Sequence, residues 1–316
     1  MSKLRTIDLF AGVGGIRLAF EKAGFETVFA NDFDLTCKET YDLNFSSPKL
    51  NTEDIWKLDI DQLPQFDVLV GGFPCQAFSI AGYRKGFRDE KNRGNLFFRI
   101  AEILEVRKPP VILLENVKNL KGHDKGKTFK IIQKTLEDLG YTIKTDILNS
   151  MTHGNIPQNR ERIFIVGFLD SKKAEAFAFP DTIPLTKVFR DLTAEEADNK
   201  YYYNDKPLYA RIKNDIHSEE KVYQWRRRYV RENKKGVVPT LTANMGLGGH
   251  NVPIIKNGKG IRKLTPKECF LIQGFPQSFK LPPLADSKLY HQAGNSVTVP
   301  VVERIAKNIF SVINKK

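Results

Sequence analysis

Cysteine is scarce in this chain: Cys37, Cys75 and Cys269 are the only three among 316 residues. They lie far apart and form no CxxC pair, so no disulfide framework and no zinc-ligand spacing is present, and no metal is expected. Long apolar runs are also missing. None approaches the ~20 residues that a membrane span requires, so no membrane partner is expected. No glycine-rich loop carries a P-loop lysine, which argues against a nucleoside triphosphate. There is no internal repeat and no low-complexity segment. The first residues, Met-Ser-Lys-Leu-Arg-Thr, run directly into a strand pattern, so no signal peptide is expected and a reducing cytoplasm is the natural compartment. The scarcer charge is the negative one. Against 50 Lys and Arg stand 37 Asp and Glu, a net charge of +13 and a pI of about 9.5. Such an excess points to a polyanionic partner, because neutralising phosphates drives non-specific nucleic-acid binding.

What is present is an alternation of strands and helices. Residues 5–10 read as a strand, Ala11-Gly-Val-Gly-Gly15 as a turn, and the segment from Ile16 to Gly24 as a helix. Glu26–Asn31 is a second strand, followed by Asp32-Phe33-Asp34. Phe66–Val70, Val111–Leu114, Tyr141–Leu148 and Arg162–Phe168 read as further strands, with helices over Asn95–Val106, Thr128–Leu139 and Val302–Val312. Glu115-Asn-Val117 is expected to follow the fourth strand. This pattern predicts an α/β fold with a mostly parallel sheet covered on both faces. From about Phe179 the pattern becomes irregular and basic. Residues 1–181 and 290–316 are therefore expected to form the larger domain, and 182–289 a smaller domain with its hinge.

The stretch Gly71-Gly-Phe-Pro-Cys-Gln-Ala-Phe-Ser-Ile-Ala-Gly82 organises the rest. Two glycines allow a sharp turn and a close approach, and Pro74 stiffens the loop before Cys75. A thiol at the carboxyl end of a buried strand sits where open α/β sheets bind ligands. The competing reading of Cys75 alone is a small buried hydrophobe. Asp32 can accept hydrogen bonds from both hydroxyls of a ribose, or it can serve a surface turn. Phe33 can stack on an adenine. Asp54 offers an acceptor and Ile55 an apolar wall. Glu115, desolvated beside an apolar strand, can hold a proton near neutrality, or it can cap the next segment. Arg160 and Arg162 flank Glu161; one can offer a fork of donors to a polar ligand while the other holds loops together.

Six stretches carry a resemblance: Asp8-Leu-Phe-Ala-Gly-Val-Gly-Gly15, Gly72-Phe-Pro-Cys-Gln76, Glu115-Asn-Val117, Gln158-Asn-Arg-Glu-Arg162, Arg262-Lys-Leu-Thr-Pro-Lys-Glu268 with Gln273-Gly-Phe-Pro276, and Gly294-Asn-Ser-Val297. In this order and spacing the chain resembles the bacterial cytosine-5 DNA methyltransferases of restriction-modification systems. The resemblance implies a Rossmann-like S-adenosylmethionine-dependent methyltransferase sheet with a second, smaller target-recognition domain. It implies that a cytosine is flipped from duplex DNA into the cleft between the domains. Cys75 then attacks C6, Glu115 binds N3 and the amino group, Arg162 contacts O2 and Arg160 supports the site. S-adenosylmethionine gives its methyl group to C5 and leaves as S-adenosylhomocysteine. Carried over by motif, the cofactor pocket is Phe10, Gly12, Gly14, Asp32, Phe33, Asp54, Ile55, Pro74, Leu96, Asn295 and Val297. The resemblance places Gln76 near the vacated base position, and Ser79 and Thr240 on backbone phosphates. Phe33 stands where many members carry tryptophan, and Ala81 where some carry a serine.

Double-stranded DNA is the expected partner of a monomer, with a cognate restriction endonuclease acting on the same site. Arg226, Arg227, Arg228, Arg231 and Asn244 are candidates for base edges or phosphates. Three other readings use part of these features. An RNA-directed relative would share cofactor and nucleophile. A silent DNA-binding paralogue would need a broken Cys75, Glu115 or Arg162. A nicotinamide-dependent oxidoreductase explains only the glycine turn and Asp32.

Overall fold

The computed structural model describes residues 3–74, 96–247 and 251–314. The chain divides into two compact units: Met1–Leu148, Glu161–Asp181 and Val302–Lys316 form the first, Asn149–Arg160 and Thr182–Val301 the second. Residues 149–160 and 290–301, expected with the larger domain, group with the second unit. The reason is local bonding: buried Gln158 and Arg160 spend their side chains on the backbone around Leu241, Ile272, Gly294 and Ser296.

The first unit is built on a six-stranded sheet. Its strands are β1 (Arg5–Leu9), β2 (Glu26–Asn31), β3 (Val68–Gly72), β4 (Val111–Val117), β5 (Thr142–Asn149) and β7 (Glu161–Phe168), in the order β2-β1-β3-β4-β7-β5. β1 runs parallel to β2 and β3, and β3 parallel to β4, while β7 is antiparallel to β4. The strand order reverses beside β1, and the crevice outside the carboxyl ends of the strands at such a switch is the ligand site of open α/β sheets. β3 and β4 are almost wholly buried, as continuous apolar runs must be when both faces are covered.

Helices α1 (Gly15–Lys22), α2 (Leu35–Asn44), α3 (Leu96–Arg107) and α4 (Lys127–Asp138) follow β1, β2, β3 and β4. α3 sends Phe97, Ile100, Ile103 and Leu104 into the core, where they meet Leu69 and Ile112 of the sheet and Ile132 and Leu136 of α4. α2 begins where Asp34 accepts the N–H of Thr36 at 2.8 Å, the capping role that short acidic residues serve.

Three local expectations change. β4 extends through Val117, so Glu115 lies inside the strand rather than after it. β3 begins at Val68 rather than Phe66. Gly71 and Gly72 are the last residues of β3, not a turn. A Cβ on Gly71 would stand 2.8 Å from Leu9 O, and one on Gly72 3.3 Å from Glu115 Oε2. These glycines serve close approach between strands.

The second unit has a four-stranded antiparallel sheet in the order β12-β11-β8-β9 and a parallel pair, β6 (Gln158–Asn159) with β10 (Val238–Pro239). β8 is Tyr223–Trp225, β9 Val230–Glu232, β11 Ile254–Asn257 and β12 Gly260–Lys263. Its core gathers Ile212, Ile216, Tyr223, Trp225, Ile254 and Ile261. Helix α5 (Pro266–Ile272) starts with a capping box between Thr265 and Glu268. Glu268 also receives both terminal guanidinium nitrogens of the fully buried Arg262, at 2.8 and 2.9 Å. Helix α6 spans Asp286–Asn295, and α7 spans Val299–Asn314.

Candidate active site

Parallel strands deliver their carboxyl ends to one edge, and the sequence places its unusual residues there. Phe10 follows β1, Asp32 follows β2, Pro74 follows β3 and Glu115 lies near the end of β4. Phe10, Gly12 and Gly14 all have positive φ, at 57°, 53° and 85°. The backbone therefore weaves through left-handed conformations that cost little only for glycine. A Cβ on Gly12 would meet nothing within 4 Å, so open space lies directly over that turn.

Asp32 is tied to this turn. Gly12 N–H donates to its Oδ2 at 2.8 Å, and Asp34 N–H to its Oδ1 at 3.0 Å. Burial pushes the Asp32 carboxyl above its ordinary pKa, and the two N–H donors partly offset this. Each oxygen keeps a second lone pair. Phe33 beside it is 74% exposed, far more than an aromatic ring without a partner favours. Asp54 is exposed and accepts Trp56 N–H at 3.1 Å, while Ile55 is buried and Leu96 half-buried in the core beside it.

Two asparagines that sequence reasoning did not single out position this edge. Asn31 donates to the carbonyls of Asn51 and Glu53 at 3.1 and 2.8 Å, fixing the segment that carries Asp54. Asn116 donates to Phe73 O at 2.8 Å, holding the chain just before exposed Pro74. Asn at a strand terminus is a weak signal. The Asn116 position was visible only as part of Glu115-Asn-Val117.

Asp8 is fully buried within β1. Its Oδ2 accepts Arg17 N–H at 3.2 Å, in the first turn of α1, whose Gly14 cap has no side chain to offer. Its Oδ1 has no partner. Burial pushes its carboxyl up to about 8, against the opposing pull of the Arg17 N–H and guanidinium.

The structure brings Glu115 and Arg162 together. Arg162 pairs with Val117 in the antiparallel register, so Glu115 is its diagonal neighbour on the same face. Arg162 Nε lies 3.1 Å from Glu115 Oε1, and Nη1 donates to Glu161 O at 2.9 Å. The other carboxylate oxygen faces Gly72 at the end of β3. Cys75, Gln76 and Ser79 lie outside the described residues.

In the second unit Arg160 is 2% exposed. Its guanidinium donates to Leu241 O and Ser296 O, both at 2.7 Å, and to Gly294 O at 3.3 Å. Those bonds make it a clamp between the segment at Leu241 and the C-terminal end of helix α6. Asn295 is exposed, with its amide 3.1 Å from His291 Nε2, and Val297 is buried. A Cβ on Gly294 would fall 2.2 Å from the Thr242 carbonyl carbon, so backbones touch there. Arg226, Arg231, Thr240 and Asn244 line one cavity of about 450 Å³, together with Gln224 and Asn251. Thr240 donates its hydroxyl to Asn159 O at 2.6 Å. Arg227 and Arg228 sit outside this lining, in the turn that Arg226 N–H closes on Tyr229 O at 2.9 Å.

An open, parallel-rich α/β sheet with a left-handed glycine turn and an acidic residue after its second strand defines a Rossmann-like enzyme class. Within that class the chain belongs to the C-5 cytosine-specific DNA methylase family, whose model matches residues 4–311. It is a DNA cytosine-5 methyltransferase by family. The Type II methyltransferase M.Bsp6I of Bacillus sp. strain RFL6 is 54% identical over 312 residues, covering 97% of this chain and 98% of the relative. M.DsaV of Dactylococcopsis salina is 42% identical over 313 residues, covering 99% of this chain and 87% of the relative. Among solved structures, a DNMT2 mutant of Spodoptera frugiperda has the same fold, with a TM-score of 0.76 at 19% identity over 98% of this chain and all of that one. Among the described residues no helix is long and apolar enough to cross a membrane.

Proposed function

We propose that this chain methylates C5 of a flipped-out cytosine in a short duplex DNA site, through a covalent adduct of Cys75, as the modification enzyme of a restriction-modification system. The observation that carries the reading is the pairing of Glu115 with Arg162 at 3.1 Å, packed on Gly72 three residues before Cys75.

The residues at the sheet edge fit S-adenosylmethionine. Asp32 retains lone pairs for ribose hydroxyls, Phe33 presents a bare ring for the adenine, and the space over Gly12 admits the rest. That cofactor supplies a methyl group on a sulfonium. The chain supplies activation of the base. Cytosine C5 is too electron-poor to take the methyl group unaided. The Cys75 thiolate forms a bond to C6, and the displaced electron pair moves through the ring toward N3. Glu115, held by Arg162, accepts hydrogen bonding from the amino group and exchanges a proton at N3. Arg162 has a second terminal nitrogen for the base oxygen O2. Once C5 carries the methyl group, removal of the C5 proton returns an electron pair to the ring and breaks the carbon–sulfur bond. Asn116 holds Phe73, two residues before Cys75.

Transfer of labelled methyl groups to unmodified duplex DNA tests the reading. Wild type labels DNA and leaves tRNA unlabelled, while Cys75→Ser binds DNA without transferring. Equal turnover by both proteins removes the mechanism.

A further inference from the structure

The strand period decides which way the basic tract faces. Tyr223 and Trp225 of β8 enter the second unit's core. Gln224 lies between them and must point to the opposite face. There it lines the 450 Å³ cavity with Arg226, two residues on, and Arg231 of β9. Gln224 and Arg231 are direct partners in the antiparallel register, so their side chains start about 5 Å apart. Lys221, two residues before β8, forms a surface salt bridge of 2.6 Å with Glu232 at the end of β9.

Gln224 is only 8% exposed, yet among the described residues its amide has no hydrogen-bond partner. It is not among the sealed polar groups either, so the amide opens into the cavity. A largely buried amide without a protein partner costs stability, because its lost hydration is not offset by a hydrogen bond, whereas buried polar groups are normally paired. It is well placed for an external one. The described lining holds no aspartate or glutamate. Acceptors in that lining are therefore neutral, and Gln224 Oε1 belongs to the direct cross-strand partner of Arg231.

Resting on the DNA-methylating reading above, we infer that Gln224 and Arg231 form one reading head for a single G·C pair. Arg231 donates to O6 and N7 of the guanine, the two acceptors a guanidinium fork matches, and Gln224 Oε1 accepts from the cytosine amino group. Both edges lie side by side in the major groove, as the two side chains do on the strands.

The test is methylation of a duplex library carrying every single-base change around the wild-type site, read by bisulfite sequencing for wild type, Gln224→Met, Gln224→Glu and Arg231→Lys. Gln224→Met and Arg231→Lys lose about 10- to 100-fold of discrimination at the same base pair. Gln224→Glu keeps the preference there, because a carboxylate still accepts from the cytosine amino group. An adenine contact by Gln224 needs its amide donor and would fail in that variant. The salt dependence of DNA binding stays unchanged in Gln224→Met, since no phosphate charge is lost. Unchanged specificity in the Gln224 variants, or losses at two different base pairs, overturns the reading head while wild type still methylates. Gln224→Glu, with the same size and length, carries the test if Gln224→Met does not fold. If wild type methylates no DNA cytosine at C5, the catalytic reading itself fails.

Discussion

Glu115 and Arg162 meet at 3.1 Å across two antiparallel strands, as diagonal neighbours on one face of the sheet. Neither strand alone encodes the meeting. It depends on β7 returning antiparallel beside β4, so that the start of one strand reaches the end of the other. The pair is nearly buried. Removing one partner therefore leaves the other charge without its counterion, which is costly.

Glu115→Gln and Arg162→Lys should each lower kcat by about 10²- to 10⁴-fold, the range of a lost acid–base contribution. Binding of the methyl donor should stay near wild type, because neither side chain contacts the turn around Gly12. Steady-state kinetics with separate titration of DNA and methyl donor checks this. A rise in the donor KM with unchanged kcat contradicts it.

Asp32→Ala should act on the opposite side of the reaction. It removes the acceptor of Gly12 N–H and Asp34 N–H as well as the proposed ribose contact. Donor affinity should fall at least about tenfold, the equivalent of one lost hydrogen bond to a charged group. DNA affinity should hold. Calorimetry with each ligand distinguishes the two, and a loss confined to DNA binding contradicts the pocket.

Asp8 gives a pH signature. Its carboxyl has an ordinary value of 3.8 and rises to about 8 in the fold, chiefly through burial. Between those values the folded chain holds a proton that the unfolded chain has lost. Its contribution is thus full below the unfolded value and is lost as pH rises toward 8, by about 1.4 kcal/mol per pH unit. Asp8→Asn keeps an acceptor for Arg17 N–H without that titration. Its stability relative to wild type should rise steadily from pH 5 to pH 7.5 in urea unfolding. Parallel curves contradict the assignment.

Much of the first unit was legible because its signals are local. The glycine-rich run from Ala11 to Gly15 marked a turn, buried apolar runs marked β3 and β4, and Asp32 closed the second strand. What was not legible depends on partners distant in sequence. Gly71 and Gly72 read as a turn with a close approach; the close approach holds, but its partners, Leu9 O and Glu115 on neighbouring strands, are distant in sequence, and the turn is absent. The sequence alone leaves open which of Arg160 and Arg162 is the fork and which holds loops, until the three carbonyl acceptors of Arg160, from Leu241 to Ser296, are seen. Gln224 gave no signal within the arginine-rich tract, because only the pairing with Arg231 turns it toward the cavity.

The most direct test uses duplex DNA carrying 5-fluorocytosine at the target position. Fluorine cannot leave as the C5 proton does, so the Cys75–C6 bond cannot be released after methyl transfer. Wild type with S-adenosylmethionine should form a complex that survives denaturing electrophoresis, and Cys75→Ser should not. Absence of that complex from a preparation that methylates the unfluorinated site would contradict the covalent mechanism.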